Sequence, residues 1–455
     1  MSGEGAADLA RASKGAALAR LDWNGTGSAD PVPDDSRCAH WIDAPDLRMF
    51  VMILFFVFGG ITSLNDVIIP KLKELFTLTY AEVMLVQSAF FTAYLVVSMP
   101  AAAVVRRIGY MRTASLGLAM MMAGCVLFSP ASLSSSFPLF LGAIFVLAAG
   151  ISTVQVVANP LISLLGPPRT APSRLTFAQA FNSLGTTVFP YIGSFLILRD
   201  LTHIDPHTLT GAQLDAYRVS ETHTVVTTYI GLAAALLTAA IAVWLRRNRL
   251  NEQHDRSTSL LRAFALLGRP RFGLGALCIF LYVGAEVAIG SLLINYLMQT
   301  NILGLGQEAA GKHVPFYWGG ALAGRFIGAW LLRGSSPGRV LACAAAGAIV
   351  LIAISANSSG STAAWTLLAV GLMNSIMFPT IFSLACEGLG LRAAAGSGVI
   401  CVAIVGGALI PPLTGALADW RGLACALTLP SLCYAAIFIY GIYAQYPAAA
   451  RGGAD

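Results

Sequence analysis

Charge is scarce in this sequence: only 11% of its 455 residues are Asp, Glu, Lys or Arg. A water-exposed surface normally carries about a quarter to a third of its residues charged, so an ordinary soluble fold is excluded. Cysteine is present eight times but forms no CxxC pair, and no His/Cys grouping has zinc-ligand spacing. That excludes a metal centre built on thiolates. Cys125, Cys278, Cys343, Cys386, Cys401, Cys425 and Cys433 fall in or beside apolar runs and read as small hydrophobes, while Cys38 lies in the N-terminal stretch. Histidine occurs six times, and His203, His207 and His223 lie in or next to a polar loop. With no Ser/His, Asp/Asp or metal-ligand constellation in the apolar segments, neither an enzyme nor a cofactor is expected. The net charge of +6 does not point to nucleic acid, because the arginines sit in short clusters between apolar runs and no basic stripe is laced with aromatics. Residues 1–47 contain no apolar run, so no signal peptide is expected there. Their Ala, Gly, Ser and Asp content reads as a disordered cytoplasmic tail.

What the chain has in abundance is hydrophobic residues, 56% of the total, with a mean hydropathy of +0.73. A helical span needs ~20 mainly apolar residues to cross ~30 Å of hydrocarbon. Runs that satisfy this recur near 49–69, 82–105, 113–131, 138–165, 175–198 and 223–245. After a polar stretch, they recur near 272–299, 312–333, 338–356, 362–385, 394–418 and 423–445. The run Met49 to Ile69 then serves as an uncleaved anchor.

With the N-terminus inside, the inner loops hold Arg106, Arg107, Arg112, Arg169, Arg174, seven arginines between Arg246 and Arg271, Arg333, Arg339 and Arg392. The outer loops hold only Lys71, Lys73, Arg199, Arg218, Lys312 and Arg421. Positive charge is retained on the cytoplasmic side during insertion, which puts both termini inside and supports an even number of spans. The expectation is an all-α membrane protein with twelve transmembrane helices in two pseudo-symmetric halves of six. Its parts are a tail (1–47), an N-terminal half (48–245), a basic linker (246–271), a C-terminal half (272–446) and a C-terminal tail (447–455). Echoes between the halves point to duplication: Gly185 precedes Pro190 by five residues, and Gly406 precedes Pro411 by five.

Polar groups inside the apolar runs are costly in lipid and therefore informative. Asp66 stands near the outer end of the first span, as a helix-end carboxylate or as a cavity-facing proton or hydroxyl acceptor. Glu286 sits in the middle of the seventh span, and Arg325, midway along the eighth, is its expected partner. That pair is either a structural ion pair or the coupling site. Amides at Gln87, Gln155, Asn159, Gln179, Asn182, Asn295, Gln299 and Asn374 either join helices or bind sugar hydroxyls, which donate and accept as amides do. Tyr282, Phe316, Tyr317 and Trp318 offer faces for a pyranose ring or fill the core. Gly320, Gly324 and Gly328 recur on one face of the eighth span and allow close helix approach. Pro100, Pro160, Pro190, Pro379, Pro411 and Pro412 create bend points.

A set of stretches, in order from about residue 50 to 445, resembles the fucose/glucose–galactose permease family. These are Asn65-Asp66-Val67-Ile68-Ile69-Pro70, Gln87-Ser88-Ala89-Phe90-Phe91, Ala158-Asn159-Pro160 and Ala178-Gln179-Ala180-Phe181-Asn182-Ser183-Leu184-Gly185. Tyr282-Val283-Gly284-Ala285-Glu286, Gly324-Arg325-Phe326-Ile327-Gly328 and Phe378-Pro379-Thr380-Ile381-Phe382-Ser383-Leu384 complete it. The resemblance implies the major facilitator fold and hexose import, mostly by proton symport. One of the fucose branch's two acidic residues matches Asp66; the other falls where this chain carries Gln155, which cannot titrate. Conversely, Glu286 stands where that branch has an amide, and Gly284-Ala285-Glu286 looks more like the glucose/galactose branch. Arg106-Arg107-Ile108-Gly109 carries Arg where the facilitator signature has Asp.

The reading is therefore a hexose:proton symporter of a bacterial inner membrane, favouring glucose or galactose and working as a monomer in the bilayer. Asp66, Glu286 and Arg325 are expected to handle the proton. Gln87, Gln155, Asn159, Gln179, Asn182, Tyr282, Asn295 and Asn374 are expected to hold the sugar. Uncoupled facilitation, or transport of fucose or N-acetylglucosamine, is the alternative.

Overall fold

The structure, a computed structural model, describes residues 44–75, 80–134, 136–197, 211–248 and 263–446. The N-terminal tail up to residue 43, the whole C-terminal tail and most of the basic linker lie outside them. Twelve helices carry the fold. The first six are α1 (Pro45–Leu75), α2 (Tyr80–Ile108), α3 (Tyr110–Leu133), α4 (Phe137–Leu164), α5 (Ala171–Ile197) and α6 (Ala212–Leu245). The second six are α7 (Pro270–Met298), α8 (Val314–Leu331), α9 (Pro337–Ala356), α10 (Gly360–Cys386), α11 (Ala393–Arg421) and α12 (Leu423–Tyr443). Proline at the first or second position opens α4, α7, α8 and α9, where its fixed φ fits and its missing N–H costs nothing.

Among the described residues, ten of the twelve are long and apolar enough to cross a bilayer. The other two are α5, with Arg174, Gln179 and Asn182, and α8, with Arg325 among its glycines. Both lie where the halves meet. Large apolar side chains such as Trp330 (71% exposed) and Leu432 (67%) stand on the perimeter, an arrangement that is stable only where lipid is the solvent.

The duplication suggested by the sequence is visible in the packing. In the first half α1 packs on α5, α2 on α4, α3 on α4 and α3 on α6. In the second, α7 packs on α11, α8 on α10, α9 on α10 and α9 on α12, the same pairings six helices on. Gly185 and Gly406 occupy equivalent places. A Cβ on Gly185 would fall 2.8 Å from the Gly60 nitrogen of α1, and one on Gly406 would fall 2.7 Å from the Phe280 carbonyl carbon of α7. Four residues on, Phe189 and Ile410 fill the matching hollows above Gly60 and Gly284. A side chain at either glycine would prise the helices apart.

The halves meet through α5 with α8 and α10, and through α11 with α2 and α4, again related by the pseudo-twofold. Most of this packing gathers at one end of the bundle, where the loops carry Arg106, Arg107, Arg169, Arg333, Arg339 and Arg392. There the Ser173 hydroxyl donates to the Ala329 carbonyl across the interface at 2.6 Å. Phe177 of α5 meets Phe326 of α8 edge to face, ring centroids 6.1 Å apart. At the same end Arg271, at the start of α7, pairs with Glu387 and donates to the Leu384 and Tyr446 carbonyls at 3.1 and 2.7 Å, tying α7, α10 and the end of α12 together.

The sequence suggests one unbroken helix for each of the tenth and eleventh spans, and the structure divides both. Helix breaks fall at 375–376 in α10 and at 404–405 in α11. Pro379 lacks the N–H that would bond the Ser375 carbonyl, so the break sits one turn ahead of it. The glycine stripe on α8 does what its spacing suggests: a Cβ on Gly324 would lie 2.7 Å from the Leu372 oxygen of α10.

A half-buried carboxylate, an arginine and three tyrosines

Glu286 lies midway along α7, with Tyr282 one turn before it on the same face. Three other helices close around them and contribute Tyr317 (α8), Asn374 (α10) and Tyr434 (α12), all wholly buried. The Tyr282 hydroxyl donates to the Asn374 carbonyl at 3.0 Å, and the Asn374 amide nitrogen donates to the Tyr317 hydroxyl at 2.8 Å. The Tyr317 hydroxyl in turn lies 3.5 Å from the Glu286 main-chain oxygen. Asn374 Oδ1 and the Tyr434 hydroxyl make no hydrogen bond of normal geometry, although the Tyr434 and Asn374 side chains lie within interacting distance of each other. Glu286 is electrostatically coupled to Tyr282, Tyr317, Tyr434 and Arg325.

The sequence pairs Glu286 with Arg325; in the structure the two interact electrostatically without closing a salt bridge, and the Arg325 guanidinium reaches α5 instead. Its Nη1 donates to the Gln179 carbonyl at 2.9 Å and to the Ser183 hydroxyl, while Nε donates to the Ser375 carbonyl at 3.4 Å. The Ser375 carbonyl is the acceptor that Pro379 leaves free. One cation of the second half is thus bonded to the first half, with a carboxylate of its own half near by.

In the first half, Gln155 on α4 accepts from the Tyr94 hydroxyl at 2.9 Å, and Ser152 and Ser98 bond one turn away, also at 2.9 Å. Asn159, one turn further along α4, is wholly buried with neither amide atom bonded. The Asn182 amide reaches the Phe55 carbonyl of α1 at 3.4 Å. The side chain of Gln179 is buried beside its carbonyl's bond to Arg325.

The structure therefore gathers Tyr282, Glu286, Asn374 and, through the interface, Arg325 and Gln179. Gln155 and Asn159 form a second polar group on α4. Asn295 stands exposed near the end of α7. The side chains of Asp66 and Gln87 lie outside the described residues. Phe316 and Trp318 are exposed, Phe316 packing on Trp365, whereas Tyr282 and Tyr317 belong to the buried network. Four participants escaped sequence reasoning: Tyr94, Tyr434, Ser183 and Ser375. Ser183 lay inside a stretch that carries the family resemblance; the two tyrosines had no signal beyond being aromatic in a span.

Residues 51–402 match the model of the Major Facilitator Superfamily. The chain is 45% identical over 390 residues to a glucose/galactose transporter of Brucella abortus, covering 86% of this chain and 92% of that one. It is 33% identical over 396 residues to the L-fucose-proton symporter of Escherichia coli, covering 85% and 90%. The crystal structure of FucP in the outward conformation superposes with a TM-score of 0.80 at 32% identity, covering 88% of this chain and 98% of that one. The chain is a multi-pass membrane protein of the Major Facilitator Superfamily, a family of transporters and not of enzymes, and belongs to the permease family that holds the glucose/galactose transporters and the L-fucose–proton symporters.

Proposed function

We propose that this protein imports a hexose, glucose or galactose, together with a proton, by alternating access across a bacterial inner membrane. The observation that carries the reading is Glu286: a carboxylate held among three tyrosines in the middle of a span, coupled to an arginine that bonds to the opposite half. A group so costly to bury is expected to be used, and a proton neutralises it. The similarity to glucose/galactose transporters and to a proton symporter supports both substrate class and coupling. Asp66 is the second candidate for the proton. Gln155, Asn159, Gln179 and Asn182 in the first half, with Tyr282, Asn295 and Asn374 in the second, offer donors and acceptors to sugar hydroxyls, and Gln87 joins them from α2. The unbonded amide of Asn159 is the group most in want of a ligand.

The basic end of the bundle faces the cytoplasm, with both termini there. The packing of α5 on α8 and of α2 on α11 then closes the inner side, and sugar enters from the other. One chain suffices, because the pseudo-twofold supplies both walls of the pathway. Counterflow of labelled glucose and galactose in proteoliposomes tests the substrate: exchange of either supports the reading, and failure of both in folded protein overturns it. Uncoupled facilitation is separated by alkalinisation of an unbuffered medium as sugar enters, which symport produces and facilitation does not.

A further inference from the structure

Arginine does not lose its charge in a protein, so the position of Arg325 depends on which acceptors around it are anionic. In this conformation it is held by neutral ones: the Gln179 carbonyl, the Ser183 hydroxyl and the Ser375 carbonyl. The groups facing Glu286 are Tyr282 on α7, Tyr317 and Arg325 on α8, and Tyr434 on α12, with the uncharged Asn374 on α10. Among the described residues none of these is a second carboxylate. Glu286 is thus the acid that can compete for the guanidinium, and only when ionised.

We propose that Ser183, with the Gln179 carbonyl, is a positioning site that holds Arg325 on α5 while Glu286 is protonated and yields it to Glu286 when the carboxylate ionises, so that proton binding and closure of the basic end are one equilibrium. This rests on the symport reading above. A guanidinium–carboxylate pair in a low-dielectric site outweighs bonds to neutral oxygens, so an ionised Glu286 draws Arg325 off α5 and loosens the halves. A proton on Glu286 removes the competitor, and Arg325 returns to bridge α8 to α5. In turnover, one proton arrives on Glu286 from the outer side while the basic end is shut. When sugar binding drives that end open, Ser183 and Gln179 move away with α5, Arg325 turns to Glu286, and the same proton leaves to the cytoplasm. Ser183 touches neither sugar nor proton; it acts through Arg325.

The test reads the interface directly. Thr176 is wholly buried on α5, and a Cβ on Gly328 of α8 would lie 3.7 Å from its Cγ2, so a thiol there meets solvent only when the basic end opens. In full-length Thr176→Cys protein whose eight native cysteines are replaced, the thiol is labelled in inside-out vesicles with a membrane-impermeant maleimide at about pH 5.5 and about pH 8, and each rate is divided by that of a fully exposed control cysteine at the same pH, because only the thiolate reacts. With Ser183 intact, labelling is low at acid pH and rises several-fold at alkaline pH. Adding Glu286→Gln keeps it low at both. Adding Ser183→Ala makes it high at both, and Ser183→Thr, which restores the hydroxyl, brings back low labelling at acid pH. Unchanged labelling in Ser183→Ala, or a pH-dependent rise that survives Glu286→Gln, overturns the proposal. Proton-driven sugar accumulation is measured separately in the protein carrying native Thr176 and Ser183: its absence defeats the symport reading whatever the labelling shows.

Discussion

Asn374 and Tyr434 show how a single buried hydroxyl separates folding from function. An unpaired buried polar group costs about 1–3 kcal/mol, and the Tyr434 hydroxyl is one. Tyr434→Phe is therefore expected to melt at or slightly above the wild-type temperature in detergent, within about 1 kcal/mol. Asn374→Leu is expected to melt lower by about 1–3 kcal/mol, because it strips Tyr317 of its amide donor at 2.8 Å. A Tyr434→Phe protein that unfolds as readily as Asn374→Leu contradicts this account of the network. Legibility at this scale was uneven. Glu286, Arg325 and Asn374 announced themselves because an ionisable or amide group in an apolar run has few bland explanations. Tyr434 did not, since tyrosine is common in spans and only the fold brings α12 against α7. Nor could sequence decide where Arg325 points: Ser183 is 142 residues away, and only the packing of α8 on α5 brings them together.

Proline and glycine set what the helices can do. Pro379 leaves the Ser375 carbonyl without its helical donor, and Arg325 takes that acceptor at 3.4 Å. Pro379→Ala restores the N–H, so α10 is expected to straighten and to compete with Arg325 for Ser375. The expected result is a protein that folds and melts no lower than wild type yet transports several-fold more slowly. A transport rate equal to wild type would show that the freed carbonyl has no part in holding Arg325. Gly185 and Gly406 make the complementary point. Leucine at either is expected to separate α5 from α1 or α11 from α7 and to abolish folded protein, as measured by size-exclusion after detergent extraction. The spacing of these glycines from their prolines hinted at duplication, but their equivalence became plain only when Phe189 and Ile410 were seen in matching hollows. Hydropathy counted the helices because lipid imposes one length on all of them; it missed the breaks in α10 and α11, the first of which follows from the single donor that Pro379 lacks.

Across the whole molecule, two six-helix units repeat one pairing scheme and touch at their basic end. Ser173 and Ala329 lie on opposite sides of that contact, hydroxyl to carbonyl at 2.6 Å. Cysteines at both positions are expected to cross-link under mild oxidation and to stop counterflow, with recovery after reduction; undiminished counterflow in the cross-linked protein would mean that the halves need not part there. The two helices that fall short of the apolarity of the rest, α5 and α8, pack on each other across this contact, while α8 turns Phe326, Ile327 and Trp330 outward to the perimeter.

Whether sugar and proton move together is measured by loading proteoliposomes with an alkaline interior in an acidic medium and following labelled glucose and galactose in wild type and Glu286→Gln. Wild type is expected to accumulate sugar above the external concentration, with collapse on adding a protonophore, and Glu286→Gln is expected never to raise internal sugar above the external level. Wild-type sugar that merely equilibrates, indifferent to the gradient, would contradict that coupling.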